Sequence, residues 1–180
     1  MSTTSPAHAR LREATRDDHA RVDGCFPHGL HDAEAYRRYL RGMHALLDAL
    51  AGADAELAAA FARHRALLEA DLADVGARPS AAPPAAPRID GLAARTGARY
   101  VIEGSAMGAR LLLRQAAALG FDREYGARFL AYHAGQADAD WDRFRRQLAS
   151  QAPEHPDFAR LIETTRDTFA LAAACLGRDE

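Results

Sequence analysis

Apolar side chains in this chain recur at intervals of three and four, and most of them are alanine or leucine. Tyr36, Tyr39, Leu40, Met43, Leu46, Leu47 and Leu50 line one side of a 3.6-residue helix, a period incompatible with the alternation of a half-buried strand. Leu57, Phe61, Leu67 or Leu68, and Leu72 form a second such stripe. Phe158, Leu161, Ile162, Phe169, and Leu171 or Leu176 form a last one. Valine, isoleucine and threonine are scarce, which favours helices over strands. The expectation is an all-α bundle, and 180 residues suit a single domain spanning 1–180.

Punctuation residues divide the chain. After a polar tail at 1–5, Pro6 opens a helix expected to reach Asp23, where Gly24 and Pro27 stop it. Asp32 caps a second helix that ends at Gly52, and Asp54 starts a third that ends at Gly76. Residues 77–89 are rich in proline and alanine, with four prolines between Arg78 and Arg88, and read as a semi-rigid connection. Gly91 to Leu119 is helical in pattern but carries Gly97, Gly104 and Gly108, each costing up to ~1 kcal/mol relative to alanine in a helix interior. Two segments follow, Arg123 to Ala134 and Ala137 to Ser150. The Pro153–Pro156 break precedes the last helix, Asp157 to Leu176.

A formal charge of −2 gives no field for nucleic acid or an anionic membrane. All 23 Lys-or-Arg side chains are arginine, so any anion clamp must use the planar guanidinium fork. Cys25 and Cys175 have no CxxC spacing, the N-terminus has no apolar signal-type run, and no apolar stretch approaches the ~20 residues of a membrane span. A reduced, cytoplasmic protein without a membrane anchor is expected.

Three constellations can carry chemistry. Leu11, Thr15 and His19 share a helix face, so the imidazole lies with the apolar side, as a ligand for a buried metal or as a hydrogen-bonded boundary residue. Arg12 stands two turns, about 10 Å, before His19 on that side, either to meet an anion or to pair with Glu13 in solvent. Gly104 and Gly108, after Tyr100, Val101, Ile102 and Glu103, leave one helix face bare, for a flat partner or for a close-packed helix. Trp141, Phe144 and Leu148 form a core stripe beside Arg143, Arg145 and Arg146, one of which is able to supply an anion contact. Paired Glu-x-x-His units of a di-iron bundle are absent from the sequence. His28 and His31 lack partners at ligand spacing, and His44, His64, His133 and His155 fall in no ligand pattern.

The run Leu11-x-Glu13-Ala14-Thr15-x-x-x-His19 resembles the proximal helix of the haem oxygenases, and Gly104–Gly108 resembles their distal helix. The Tyr-Val-Ile-Glu-Gly-Ser wording from Tyr100 to Ser105 is similar to that of bacterial members. The likeness extends through Arg65–Gly76 and Trp141–Leu148, where it looks like enzymes associated with phytochrome genes. It implies haem b sandwiched between the first, proximal helix and a glycine-kinked distal helix, with His19 as axial iron ligand. Arg12, Thr15, Tyr100 and Arg146 would border the haem, and Gly104, Ser105 and Gly108 would face its reactive side. The implied reaction cleaves haem to biliverdin, CO and iron, using O₂ and electrons from ferredoxin or a flavoprotein reductase, with a bilin-accepting phytochrome as a candidate recipient. Two departures stand out. Asp142 falls near a lysine of the mammalian enzymes, and Ser105 stands where they have a carboxylate that anchors distal water. Glu103 is adjacent but about 100° away around the helix. A haem- or bilin-binding protein without turnover is the alternative.

Overall fold

A computed structural model describes residues 5–150 and 153–177, with side chains for all of these except 137–140. Its described residues form eight helices: α1 (Pro6–Ala14), α2 (Arg16–Asp23), α3 (Ala33–Ala53), α4 (Ala55–Ala60), α5 (Ala62–Asp74), α6 (Gly91–Ala118), α7 (Arg128–Ala149) and α8 (Pro156–Leu176). The all-α expectation holds, and several boundaries move. Residues 1–4 of the expected tail lie outside the described residues. Ser5 is part of α1's start, its hydroxyl accepting from the His8 N–H.

The first expected helix is two, joined at Thr15. Its φ of −119° takes the backbone out of the helical region there, while its Oγ1 donates to the Leu11 carbonyl at 2.9 Å. The third helix divides likewise at Phe61, into α4 and α5. Conversely, the two segments expected between 123 and 150 are one helix, α7, which runs through Gly135. α6 is helical through Gly97, Gly104 and Gly108 without interruption. Asp32 and Asp54 cap α3 and α4 through bonds to Ala35 N–H and Leu57 N–H. No helix or strand occupies 77–90, but Ala77, Ala86 and Ile89 pack against the core, which anchors the connection. Among the described residues no helix is long and apolar enough to cross a membrane.

α6 lies along both α7 and α8. The larger core joins α3 and α5 to parts of α6, α7 and α8, around Tyr36, Leu40, Leu47, Leu68, Phe129 and Leu176. A smaller core unites Leu11 of α1, Tyr100 and Val101 of α6, Phe144 and Leu148 of α7, and Phe158, Leu161 and Phe169 of α8. This second core holds the first helix against the glycine-bearing one.

Candidate functional site

Along one face of α6 the neighbours thin out. Gly97, Gly104, Gly108 and Leu111 fall within about 60° of one another, because a residue advances ~100° around the axis. A Cβ on Gly97 would lie 2.5 Å from the Leu161 carbonyl oxygen, a Cβ on Gly104 would touch the Trp141 ring at 3.7 Å, and a Cβ on Gly108 would meet nothing within 4 Å. Met107 and Leu111 beside it are 53% and 52% exposed, although both are large and apolar. The helix is therefore clasped by α8 at one end and bare at the other. The bareness is lateral, since the backbone remains helical throughout.

The first helix approaches the same region. Leu11 and Thr15 are buried, while the His19 side chain is 64% exposed. The Leu11–Thr15–His19 face thus leaves the core at its last member. Thr15 and the Tyr100 phenol make a polar contact. His19 stands one turn beyond it on α2, and Gly104 one turn beyond it on α6. The His19 ring rests edge-on against Phe169 at 5.8 Å, and its Nδ1 lies 3.0 Å from Asp23 Oδ2. In the neutral ring Nδ1–H donates to Asp23, which leaves the Nε2 lone pair for a metal. A carboxylate on the far nitrogen is the usual outer partner of a ligating histidine.

Around Tyr100 the side chains are aromatic and the nearby charges positive. Trp141 stacks on Phe144 at 5.7 Å and stands 5.8 Å from Tyr100 and 5.5 Å from His8. Burial lowers the His8 pKa, helped by the Arg145 and Arg12 charges, and burial raises that of Tyr100 against the Arg12 charge. Arg12 is thus brought to the site. Arg146 lies on the exposed side of α7, and it is Arg145, also bonded to Asp142, whose charge reaches the aromatic group. Glu103 is taken by Arg99 at 2.9 Å, one turn earlier on α6.

Two participants carry no sequence signal of their own. His8 precedes the motif by a turn, inside the helix expected from Pro6 but in no motif. His133 sits on α7, 3% exposed, with Nε2 2.9 Å from the Ser105 hydroxyl. Its spacing to every other histidine matches no ligand pattern, so only the crossing of α6 and α7 reveals it.

An imidazole with a carboxylate on its Nδ1, an aromatic cluster and a helix face bare at Gly108 are what this helical protein offers a ligand here. Comparison with known proteins gives the class. A family profile described as heme oxygenase matches residues 5–177. A solved structure of the NO- and CO-bound heme oxygenase from Neisseria meningitidis superposes with a TM-score of 0.73 at 25% identity, over 97% of this chain and 91% of that one. No curated protein matches. The chain belongs to the haem oxygenase family. Its residues fit a haem, since His19 offers a nitrogen donor with Asp23 on its other ring nitrogen and nothing in the protein lies within 4 Å of where a Gly108 side chain would begin.

Proposed function

We propose that the chain is a single-domain cytoplasmic enzyme that binds haem b through His19 and cleaves it to biliverdin, CO and iron. The observation that carries this reading is His19, with the Asp23 carboxylate on its Nδ1, on a segment that the Thr15–Tyr100 contact ties to α6, whose face is bare at Gly108. Haem, when bound, supplies both the iron at which O₂ is reduced and the macrocycle that is oxidised. The protein's part is positional. Asp23 holds the His19 tautomer and ring plane, so that Nε2 faces the ligand. Gly104 and Gly108 let backbone approach the ring, while Met107 and Leu111 offer it apolar contact and displace water. Arg12 supplies guanidinium for the carboxylates at the ring edge, with Arg145 or Arg146 as a second. Ferredoxin or a flavoprotein reductase is the proposed electron donor, and a phytochrome is a candidate recipient of the bilin.

Haem-loaded protein supplied with ferredoxin and its reductase in air should lose its Soret band and gain biliverdin absorbance. The His19→Ala variant should lose the axial-imidazole spectrum and turnover together. A Soret band that persists under reductant and air would favour binding without turnover, and an unchanged spectrum in His19→Ala would remove His19 from its role. Chromatography of the bilin after one turnover identifies the meso carbon cleaved.

A further inference from the structure

Ser105 does not simply present a hydroxyl to the open face of α6. Its Oγ lies 2.8 Å from the Ile102 carbonyl oxygen, one turn back, and 2.9 Å from His133 Nε2 on α7. A hydroxyl has one proton and two lone pairs, and a carbonyl can only accept. If Ser105 gave its proton to His133, Oγ and the Ile102 oxygen would face each other as bare acceptors at 2.8 Å. Both short contacts are satisfied when His133 Nε2–H donates to Ser105 and Ser105 donates to Ile102. The Ile102 carbonyl also draws on the His133 N–H. The Ser105 proton is then committed, and one lone pair remains.

His133 can sustain this polarity because its surroundings keep it neutral. Its ring stacks on Phe129 at 5.3 Å, and His64 of α5 meets it edge-on at 5.3 Å. Burial, reinforced by His64, pushes its pKa down to about 3, against the pull of the Ile102 carbonyl. Tyr132 on its own helix touches His64 and lies under the Arg63 guanidinium. No carboxylate is paired with the ring among the described residues. A neutral imidazole protonated on Nε2 leaves Nδ1 without a proton, so its tautomer is defined.

Ser105 stands about 100° around the helix from Gly104 and about 60° from Gly108, at the border between the α7 contact and the bare face. We propose that His133 is a positioning residue that fixes Ser105 as a hydrogen-bond acceptor toward a water molecule on the Gly104–Gly108 face. A water held by one proton on Ser105 turns its other proton away from the helix, toward whatever occupies that face. The site then presents a donated proton there without a charged side chain. This rests on the reading that the face covers haem.

The first test needs no haem. In the ¹⁵N-labelled apo-protein, His133 should have a protonated, pyrrole-type Nε2 and a pyridine-type Nδ1, with shifts constant from pH 8 to pH 5. A proton on Nδ1, or titration in that range, overturns the inference. In the haem-loaded protein the pH midpoint of the ferric spectrum reports hydrogen bonding on this face. Ser105→Ala and His133→Phe should move it in the same direction by about half a pH unit or more, the double variant no further. His133→Gln, whose amide N–H replaces Nε2–H, should restore the wild-type midpoint. A shift in Ser105→Ala that His133→Phe does not share overturns the positioning role. Failure of the wild-type protein to take up haem would overturn the haem reading and this role with it. Uptake combined with the wrong tautomer overturns the present inference alone.

Discussion

Gly97 and Gly108 belong to one helix and nearly one face, yet they answer to opposite constraints. At Gly97 a methyl group would run into the backbone of α8, 2.5 Å from the Leu161 oxygen and 3.0 Å from the Thr165 nitrogen. Gly97→Ala should therefore lower stability by about 1–3 kcal/mol through forced separation of the two helices, measured by urea denaturation of the apo-protein. At Gly108 a methyl group meets no protein atom, and alanine is the better helix former. Gly108→Ala should raise apo-protein stability by about 0.5–1 kcal/mol while weakening haem uptake in a titration followed at the Soret band. An unaltered haem affinity would mean that the ring does not lie over this glycine. In the sequence the two positions differ in nothing but their place along the helix. The same residue type marks a clamp at one and an opening at the other, because the distinction belongs to α8 and Trp141. His19 is the complementary case, its face legible from spacing and its exposure decided by where the core ends.

α7 has no cap of its own, since Ala127 offers no side-chain acceptor. Its first N–H groups are instead satisfied by Asp71 of α5, which is fully buried and accepts from Arg128 N–H at 3.0 Å and Phe129 N–H at 2.8 Å. Asp74 adds bonds to Gly126 N–H and the Arg128 guanidinium. Asp71→Ala would leave the Arg128 and Phe129 N–H groups without their acceptor and the Arg128 guanidinium with Asp74 alone. A loss of about 3–5 kcal/mol is expected, read from the shift in the chemical denaturation midpoint. Because α7 carries His133 and Trp141, haem-site geometry should suffer as well. Strong stripes such as Tyr36–Leu50 made their helices plain from spacing and caps. The start of α7 was hidden because its cap comes from a residue far earlier in the chain, and its continuity through Gly135 is supplied by packing on α5 and α6.

For the whole molecule, acid stability should fall in two stages. The first belongs to His133, whose folded pKa near 3 lies below the usual histidine value. Between about pH 6.5 and 3 the unfolded chain binds a proton there that the folded chain does not, so stability should drop by about 1.4 kcal/mol per pH unit as pH falls. The second belongs to Asp54, Asp74 and Asp32. Bonds to Arg95, to Arg128 and to the Ala35 N–H, respectively, hold these carboxyls below their usual value. Their contribution is present above about pH 4 and is lost as pH falls through the folded values. Urea midpoints at pH 7, 5.5 and 4 test this, and His133→Phe should shrink the upper stage to the part that the lowered His8 pKa contributes. A pH-independent midpoint between 7 and 5 would contradict a buried neutral His133. The periodicity of Ala and Leu, the capping aspartates and the proline-rich connection determined an all-α chain and most of its helices, since these are local properties of the backbone. The motifs around His19 and Gly104–Gly108 marked the two sides of the proposed site by resemblance. Tertiary structure alone decided which glycine face stays open, which arginine reaches the aromatic wall and how His133 meets Ser105, because each depends on the distance between helices that no spacing along one helix encodes.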